Sequence, residues 1–352
     1  MCYFTFKFMN RPPTLKDLAG EAGVSISTVS RALNHHPSIP KATQKRIEKV
    51  ASTMRYRPDA RLSQLMSYLR KDKPTRPTNN LAWLDTWSKP DELKQPWNKD
   101  YIQGARERSK QMGYVLDEIG AQELRGSPKR INTVLQNRGV EGLMLPQFWD
   151  DHPIAKALDW NAFSVVFLDE YSPDLPGSRV SSHYAANILL AMQKLKNLGY
   201  RRPAVWISDF MDHNVLHAYT AYVPWAHKQW FSGPHLPVPR IVEATDENTA
   251  LSAFLKKHRP DVLIVQSNTV MPLLNRHGFR VPEDIGVIHM NLADDVTGWA
   301  GIDQRHKDIG IAAVDTLVAQ LRRYELGISR DGKHIFIPGI WKDGFTVRPC
   351  KR

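Results

Sequence analysis

The stretch "GVSISTVSRALN", Gly23 to Asn34, sets a few apolar residues against a run of hydroxyls, an arginine and an asparagine. At helical spacing Val29, Ala32 and Leu33 fall on one side and are expected to pack inward. Ile26, Ser27, Ser30, Arg31 and Asn34 then cluster on the other side, through i, i+3, i+4 and i+7 relations. That side faces water, a small ligand or another macromolecule.

The residues just before it narrow the choice. "TLKDLAGEA" carries Leu15, Leu18, Ala19 and Ala22 on one helical face, with Thr14 and Asp17 spaced as an N-cap pair. Gly23 can adopt the left-handed conformation that ends this helix, and Ser25 is suited to cap the next. Two short helices about a glycine turn form a helix-turn-helix pattern. Small hydroxyls keep the second helix slim enough for a major groove about 12 Å wide. There Arg31 can bond guanine or clamp a phosphate, and Asn34 can reach a phosphate or an adenine. A third helix over residues 41–54 places Ile47, Val50, Ala51 and Met54 on one face. Tyr56-Arg57-Pro58 stops it, because the residue before a proline avoids the helical region.

Charge is concentrated in the same part of the chain. Of a net +12 over 352 residues, residues 1–77 hold 15 Lys/Arg against 5 Asp/Glu, whereas the remainder holds 33 against 31. A basic module attached to a near-neutral domain implies a nucleic-acid partner. Next, "DARLSQLMSYLR" spaces Leu62, Leu65, Met66 and Leu69 as a fourth helix, too short to be stable alone. "KDKPTRPTNN" then has the proline and charge of a linker.

Over residues 14–66, including "AGVS", "TVSRALN" and "YRP", the chain resembles the DNA-binding head and hinge of the lactose/galactose repressor family. The resemblance implies that Ile26, Ser27 and Arg31 read bases. It also implies that Thr14, Ser25, Thr28, Ser30, Asn34 and Tyr56 touch the phosphate backbone. Family members fold their hinge on the operator, where a leucine from each protomer wedges open a base step; Leu65 stands at that position.

Beyond residue 80, short apolar runs alternate with amphipathic stretches. The strand candidates are "LAWLD", "GYVLDEI", "GLMLP", "FSVVFLD", "PAVWIS", "DVLIVQS" and "IGVIHMN". Helices are expected near 98–112, 126–138, 184–197, 247–258 and 306–324. This alternation predicts parallel sheets buried on both faces, two of them for so many units. The expected fold is an all-α helix-turn-helix head plus an α/β core of two parallel-sheet subdomains. The family resemblance makes that core periplasmic-binding-protein-like, with an effector between the subdomains. The expected boundaries are an extension at 1–13, the head at 14–58, the hinge helix at 59–69, a linker at 70–80 and the core at 81–352. Within the core, about 81–179 and 304–330 form one subdomain, and about 180–303 and 331–352 the other.

In "GIDQRHKDIG", Gln304 matches a glutamine of the family. Asn291 stands where the better-known members carry a ligand-holding aspartate. The arginine expected after "PAVWIS" is missing, and "DHNVLHAYTAYVPW" offers histidines, aromatics and Asn214 instead. Trp87 and Trp97 flank a long loop after the first strand. Tryptophan stacks on the apolar face of a sugar ring and amides bond its hydroxyls. The cleft candidates are therefore Trp87, Gln147, Asn214, Asn291 and Gln304, and the expected effector is a carbohydrate.

No Gly-rich phosphate loop, nucleophile elbow or HExxH occurs in the sequence. The expectation is no enzyme and no cofactor. His213 and His217 have the spacing of a helical metal pair, but no cysteine or carboxylate stands at a matching interval, so no metal is expected. Asp169-Glu170 and Asp294-Asp295 read as solvated loop ends. Two cysteines at opposite ends make no disulfide framework. "MCYFTFKFMN" lacks a basic leader and a cleavage site, with Met9 as an alternative start, and no long apolar run spans a membrane. These features predict a cytoplasmic, nucleoid-associated homodimer that binds operator DNA and a small molecule.

Overall fold

Helix α1 (Leu15–Ala22) begins at a reciprocal cap: the Thr14 hydroxyl and amide both donate to Asp17 Oδ2 at 2.7 Å, and the Asp17 amide donates back. It ends at Gly23, whose φ of 62° is left-handed. α2 (Ile26–Leu33) and α3 (Lys41–Thr53) complete the head. Leu18, Val29, Ala32 and Ile47 are fully buried where the three helices meet. The computed structural model describes residues 13–33, 39–54, 56, 79–85, 96–120, 130–146, 153–169, 175–239, 241–242, 245–292 and 296–348. The chain divides into two units, Met1–Thr75 and Arg76–Arg352.

The second unit runs β1 (Asn80–Asp85), α4 (Pro96–Gln111), β2 (Val115–Gly120), α5 (Ile131–Asn137), β3 (Val140–Pro146), α6 (Pro153–Ala157), β4 (Ser164–Leu168) and β5 (Ser178–Ser182). It continues through α7 (Tyr184–Asn197), β6 (Pro203–Trp206), α8 (Asp209–Asn214), α9 (Ala218–Trp230), α10 (Glu247–His258), β7 (Val262–Val265), α11 (Val270–Arg276) and β8 (Gly286–His289). It ends with β9 (Gly301–Asp303), α12 (His306–Arg323), β10 (His334–Ile337) and β11 (Ile340–Lys342).

Two sheets result. The first is six-stranded in the order β10-β5-β4-β3-β1-β2, parallel throughout. The second is five-stranded, β11-β9-β8-β7-β6, parallel except at β11. Strand alternation sorts the core. In β1, Leu81 and Trp83 pack towards α4 and α12, while Ala82 and Leu84 pack towards α5 and α6. In the second sheet Ile264 and Ile288 face α7 and α9, while Leu263 and Val287 face α10 and α11.

Two features differ from the sequence reading. "SRVSS" forms β5 although it alternates no apolar residues, because its flanking strands pair its backbone and Ser178, Ser181 and Ser182 each find a side-chain or backbone partner. The segment from 331 onward also does not join the second subdomain as a whole. His334–Ile337 extends the first sheet beside β5, and only Ile340–Lys342 pairs in the second. β10 pairs in parallel on the side of β5 away from β4, and that pairing was not readable from local periodicity.

Helices α4 and α12 cross at two glycines. A Cβ on Gly104 would lie 2.0 Å from the Lys307 carbonyl oxygen, and one on Gly310 would lie 2.1 Å from that of Tyr101. Backbone lies in the way on both sides, so no rotamer change relieves the clash. Gly310→Ala is therefore expected to destabilise the core by about 1–3 kcal/mol or more, read as a lower urea midpoint; an unchanged midpoint would show that the helices can move apart freely.

Candidate nucleic-acid interface and effector cleft

Ser25 caps α2. The Thr28 amide donates to Ser25 Oγ at 3.1 Å, and that hydroxyl shares bonds of 2.8 Å with the Ser27 and Thr28 hydroxyls. With Val29 and Ala32 locked inward, Ser25, Ser27 and Arg31 are exposed, and Ile26 keeps 43% of its surface. α2 therefore leaves an apolar group, Ile26, and a cationic one, Arg31, exposed near its capped end. Lys16, Lys41, Lys45, Arg46 and Lys49 add exposed positive charge to the same unit.

Ser30 is a correction. It is only 7% exposed, next to Val29 in the seam with the other helices, so it does not share the outward face. One residue advances about 100° around a helix, and the inward sector here is wide enough to take in both. Thr14 is half-buried, with its hydroxyl bonded to Asp17. Tyr56 packs on the head's core, its amide donating to the Ala51 carbonyl at 2.9 Å. Asn34 and Leu65 lie outside the described residues.

In the core, β7 and β8 run in parallel, and the Met290 amide donates to the Val265 carbonyl at 2.8 Å. That places Gln266 and Asn291 just past the carboxyl ends of neighbouring strands, where ligands of such folds bind. Gln266 Oε1 and Asn291 Oδ1 are buried and accept no hydrogen bond from the described residues. A buried acceptor without a donor is costly, and a ligand hydroxyl or amide would satisfy it. Gln266 was missed in the sequence because one glutamine after an apolar run carries no motif. Gln304 is another correction. It is 2% exposed, and its Nε2 donates to the Met290 carbonyl at 2.7 Å, so it holds the loop that carries Asn291.

Asn214 ends α8 and is half-buried. Where an arginine was expected, Asp212 is buried; it accepts from the Tyr219 amide at 3.0 Å and the Thr220 hydroxyl at 2.8 Å, and so tethers the start of α9. The Tyr219 hydroxyl is held up well above the usual phenol range by burial and by the Asp212 charge. His213 and His217 do not share one helix: α8 ends between them, and His217 takes a left-handed φ of 57° ahead of α9. Their rings meet edge to face at 5.5 Å, and His217 Nδ1 lies 3.4 Å from Asp212. Trp87, Gln147, Glu170, Asp294 and Asp295 lie outside the described residues, and of Trp97 only the backbone, in α4, is described.

Asp169 is no solvated loop end. It follows β4 with a φ of 59° and is 4% exposed. The Tyr101 hydroxyl donates to its carboxyl group. Burial pushes that carboxyl up to about 6, opposed by bonds from Tyr101, the Ser182 backbone and Tyr184. Across the Tyr101 ring, 4.8 Å between centroids, sits His306, which burial holds down at about 4.

The two shifts act oppositely on stability. Asp169 binds a proton more tightly folded than unfolded, so its stabilisation is present in acid and lost as pH rises through about 6. His306 binds one less tightly folded, so its stabilisation is present above the ordinary histidine range and lost as pH falls towards about 4. Between those values the two slopes offset each other. Asp169→Asn is expected to unmask an acid-driven loss of about 1.4 kcal/mol per pH unit below about 6, and His306→Gln the opposite slope. Urea unfolding across that range checks both; parallel profiles for the two variants would contradict the assignment.

Residues 14–59 match the sequence profile described as "Bacterial regulatory proteins, lacI family". That match is confined to the head. The transcriptional regulator MalR of Streptococcus pneumoniae serotype 4 is 23% identical over 167 residues, 47% of this chain and 48% of that protein, so the chain spans about half the length of this relative. Among solved structures, the complex of the transcriptional regulator CelR with cellobiose superposes with a TM-score of 0.61 at 18% identity, covering 95% of this chain and 99% of that one. The lac repressor dimer bound to operator and the anti-inducer ONPF gives 0.54 at 19% identity, covering 96% and 99%. All three are named as regulators or repressors. The structural likeness is one of fold: a helical head and a periplasmic-binding-protein-like core of two α/β subdomains. No helix among the described residues is long and apolar enough to cross a membrane.

Proposed function

We propose that this lacI-family protein is a cytoplasmic, sequence-specific transcriptional repressor that binds a near-palindromic operator as a dimer. One observation carries the reading: α2 is held by Val29 and Ala32 while Ile26, Ser27 and Arg31 point outward from a capped N-terminus. In a major groove those three residues would read base edges, with Arg31 bidentate to guanine. Ser25 and Thr28 at the cap, with Thr14, Tyr56 and Asn34, would position the backbone. Ser30 drops out of that set. A two-fold dimer imposes a two-fold site, and the segment 59–69 would place Leu65 at its centre as a minor-groove wedge. The solved lac repressor is a dimer on its operator, which supports this arrangement.

The core would bind a carbohydrate between its subdomains. Gln266 and Asn291 supply unsatisfied acceptors suited to sugar hydroxyls, and the cellobiose bound to CelR supports the ligand class. Trp87, Gln147 and Asn214 remain candidate contacts, whereas Gln304 acts by holding the Met290–Asn291 loop. Ligand binding would change the setting of the subdomains and so bias the hinge that presents the heads.

The test is titration with operators selected from a random DNA pool. Affinity should fall on the order of 10³-fold or more between about 50 and about 200 mM salt. Ser27→Ala should change the preferred bases, and Leu65→Ala should weaken selected sites more than random DNA. Salt-insensitive binding, or equal loss on all DNA for both variants, sinks the reading. For the cleft, a thermal-shift screen against sugars should find a stabilising ligand whose effect drops at least tenfold in apparent affinity in Asn291→Ala. Unchanged affinity in that variant would remove Asn291 from the site.

A further inference from the structure

The core's chain passes between its two sheets three times. The first passage is at Ser182–His183, from β5 to α7, which packs on the second sheet. The second is at Gln304–Arg305, from β9 to α12, which packs on the first. The third is at Pro338–Gly339, from β10 to β11. Any change in the angle between the subdomains must be absorbed in these few residues.

They are not independent. Asn187, in the first turns of α7 and 1% exposed, donates through Nδ2 to Ser182 Oγ at 2.9 Å and accepts the Gly339 amide on Oδ1 at 2.7 Å. One side chain thus ties the first passage to the third. Arg305, in the second passage, reaches the Pro338 carbonyl through Nη1 at 3.3 Å, held by its own bond to Asp308 and by a left-handed φ of 59°. Gly339 is enclosed on the remaining side. A Cβ there would come within 2.7 Å of Ile302 Cγ2, 2.9 Å of Asn187 Oδ1 and 2.9 Å of the Asp303 carbonyl oxygen. All three passages therefore converge on Pro338–Gly339.

The geometry points to a hinge clasp: Asn187, with Arg305 in support, pins Pro338–Gly339 and sets the resting angle between the two subdomains. Asn187 is a positioning residue at the pivot; its side chain bonds Ser182 and Gly339, not the acceptors Gln266 and Asn291. A buried amide whose two polar atoms are both used gives the pivot a defined rest position, where an apolar residue of the same size would leave the Gly339 amide without an acceptor. The consequence for DNA rests on the regulator reading above: a looser pivot would weaken the transmission of cleft occupancy to the heads while leaving each binding site intact.

The test uses the full chain with Cys2→Ser and Cys350→Ser, and spin labels at the exposed positions Gln136 in α5 and Lys257 in α10. Asn187→Leu should broaden the inter-label distance distribution at least twofold and speed exchange of the Gly339 amide at least tenfold, with exchange in β3 and β8 unchanged. Asn187→Asp, which keeps the acceptor for the Gly339 amide and offers Ser182 Oγ–H an acceptor where Asn187 donated, should restore the narrow distribution. Ser182→Ala, which removes a single oxygen, covers the case in which Asn187→Leu does not fold, and should broaden the distribution in the same direction. An unbroadened distribution despite a freed Gly339 amide overturns the clasp. These measurements need neither DNA nor effector, so failure to bind any operator would remove the regulator reading and leave the clasp result standing.

Discussion

Neither sheet of the core can be completed by consecutive chain. The first needs β10 on its edge and α12 on its face, and the second needs β11, yet these elements follow one another in a single C-terminal run. Parallel sheets must be covered on both faces, so the polypeptide is committed to crossing between the two bodies three times. From that constraint follow the glycine contact between α4 and α12, the serine-rich β5 and the bonds gathered around Gly339.

The same constraint puts the candidate cleft residues where they are. Strands laid in parallel bring their carboxyl ends to one edge, and Gln266 and Asn291 become neighbours although 25 positions apart in the sequence. Gln304 reaches back from the second passage to the Met290 carbonyl, so the loop that carries one acceptor is held by the segment that leaves the sheet. One hydrogen bond thereby links the candidate cleft loop to the segment that passes between the sheets.

In the head the governing term is burial of α2's inner side against α1 and α3. Once Leu18, Val29, Ala32 and Ile47 close the core, the remaining positions have no choice of direction. Ser30 shows how sensitive that assignment is: one residue's rotation moves a hydroxyl from the exposed side of the helix to the buried one. Asp169 and His306 tell a similar story in the core, where burial keeps an acid and a base each towards its neutral form, both in contact with Tyr101.

Much of this was legible from sequence alone. Thr14 with Asp17, Gly23 and Ser25 mark helix ends through local hydrogen bonding and backbone conformation, and such signals act within a few residues. Val29 and Ala32 could be turned inward by periodicity, and the alternation beyond residue 80 implied two buried parallel sheets. Other features depended on partners far along the chain. The strand role of "SRVSS", the return of His334–Ile337 to the first sheet and the burial of Asp169 all follow from which strand ends lie side by side. The open acceptors of Gln266 and Asn291 and the two-sided use of Asn187 have the same origin. Local sequence determined the helices, their ends and their apolar faces, because those energies are short-range. Only the tertiary structure decided which polar atoms were left open and which were locked, because that depends on what non-local packing brings within about 3 Å of them.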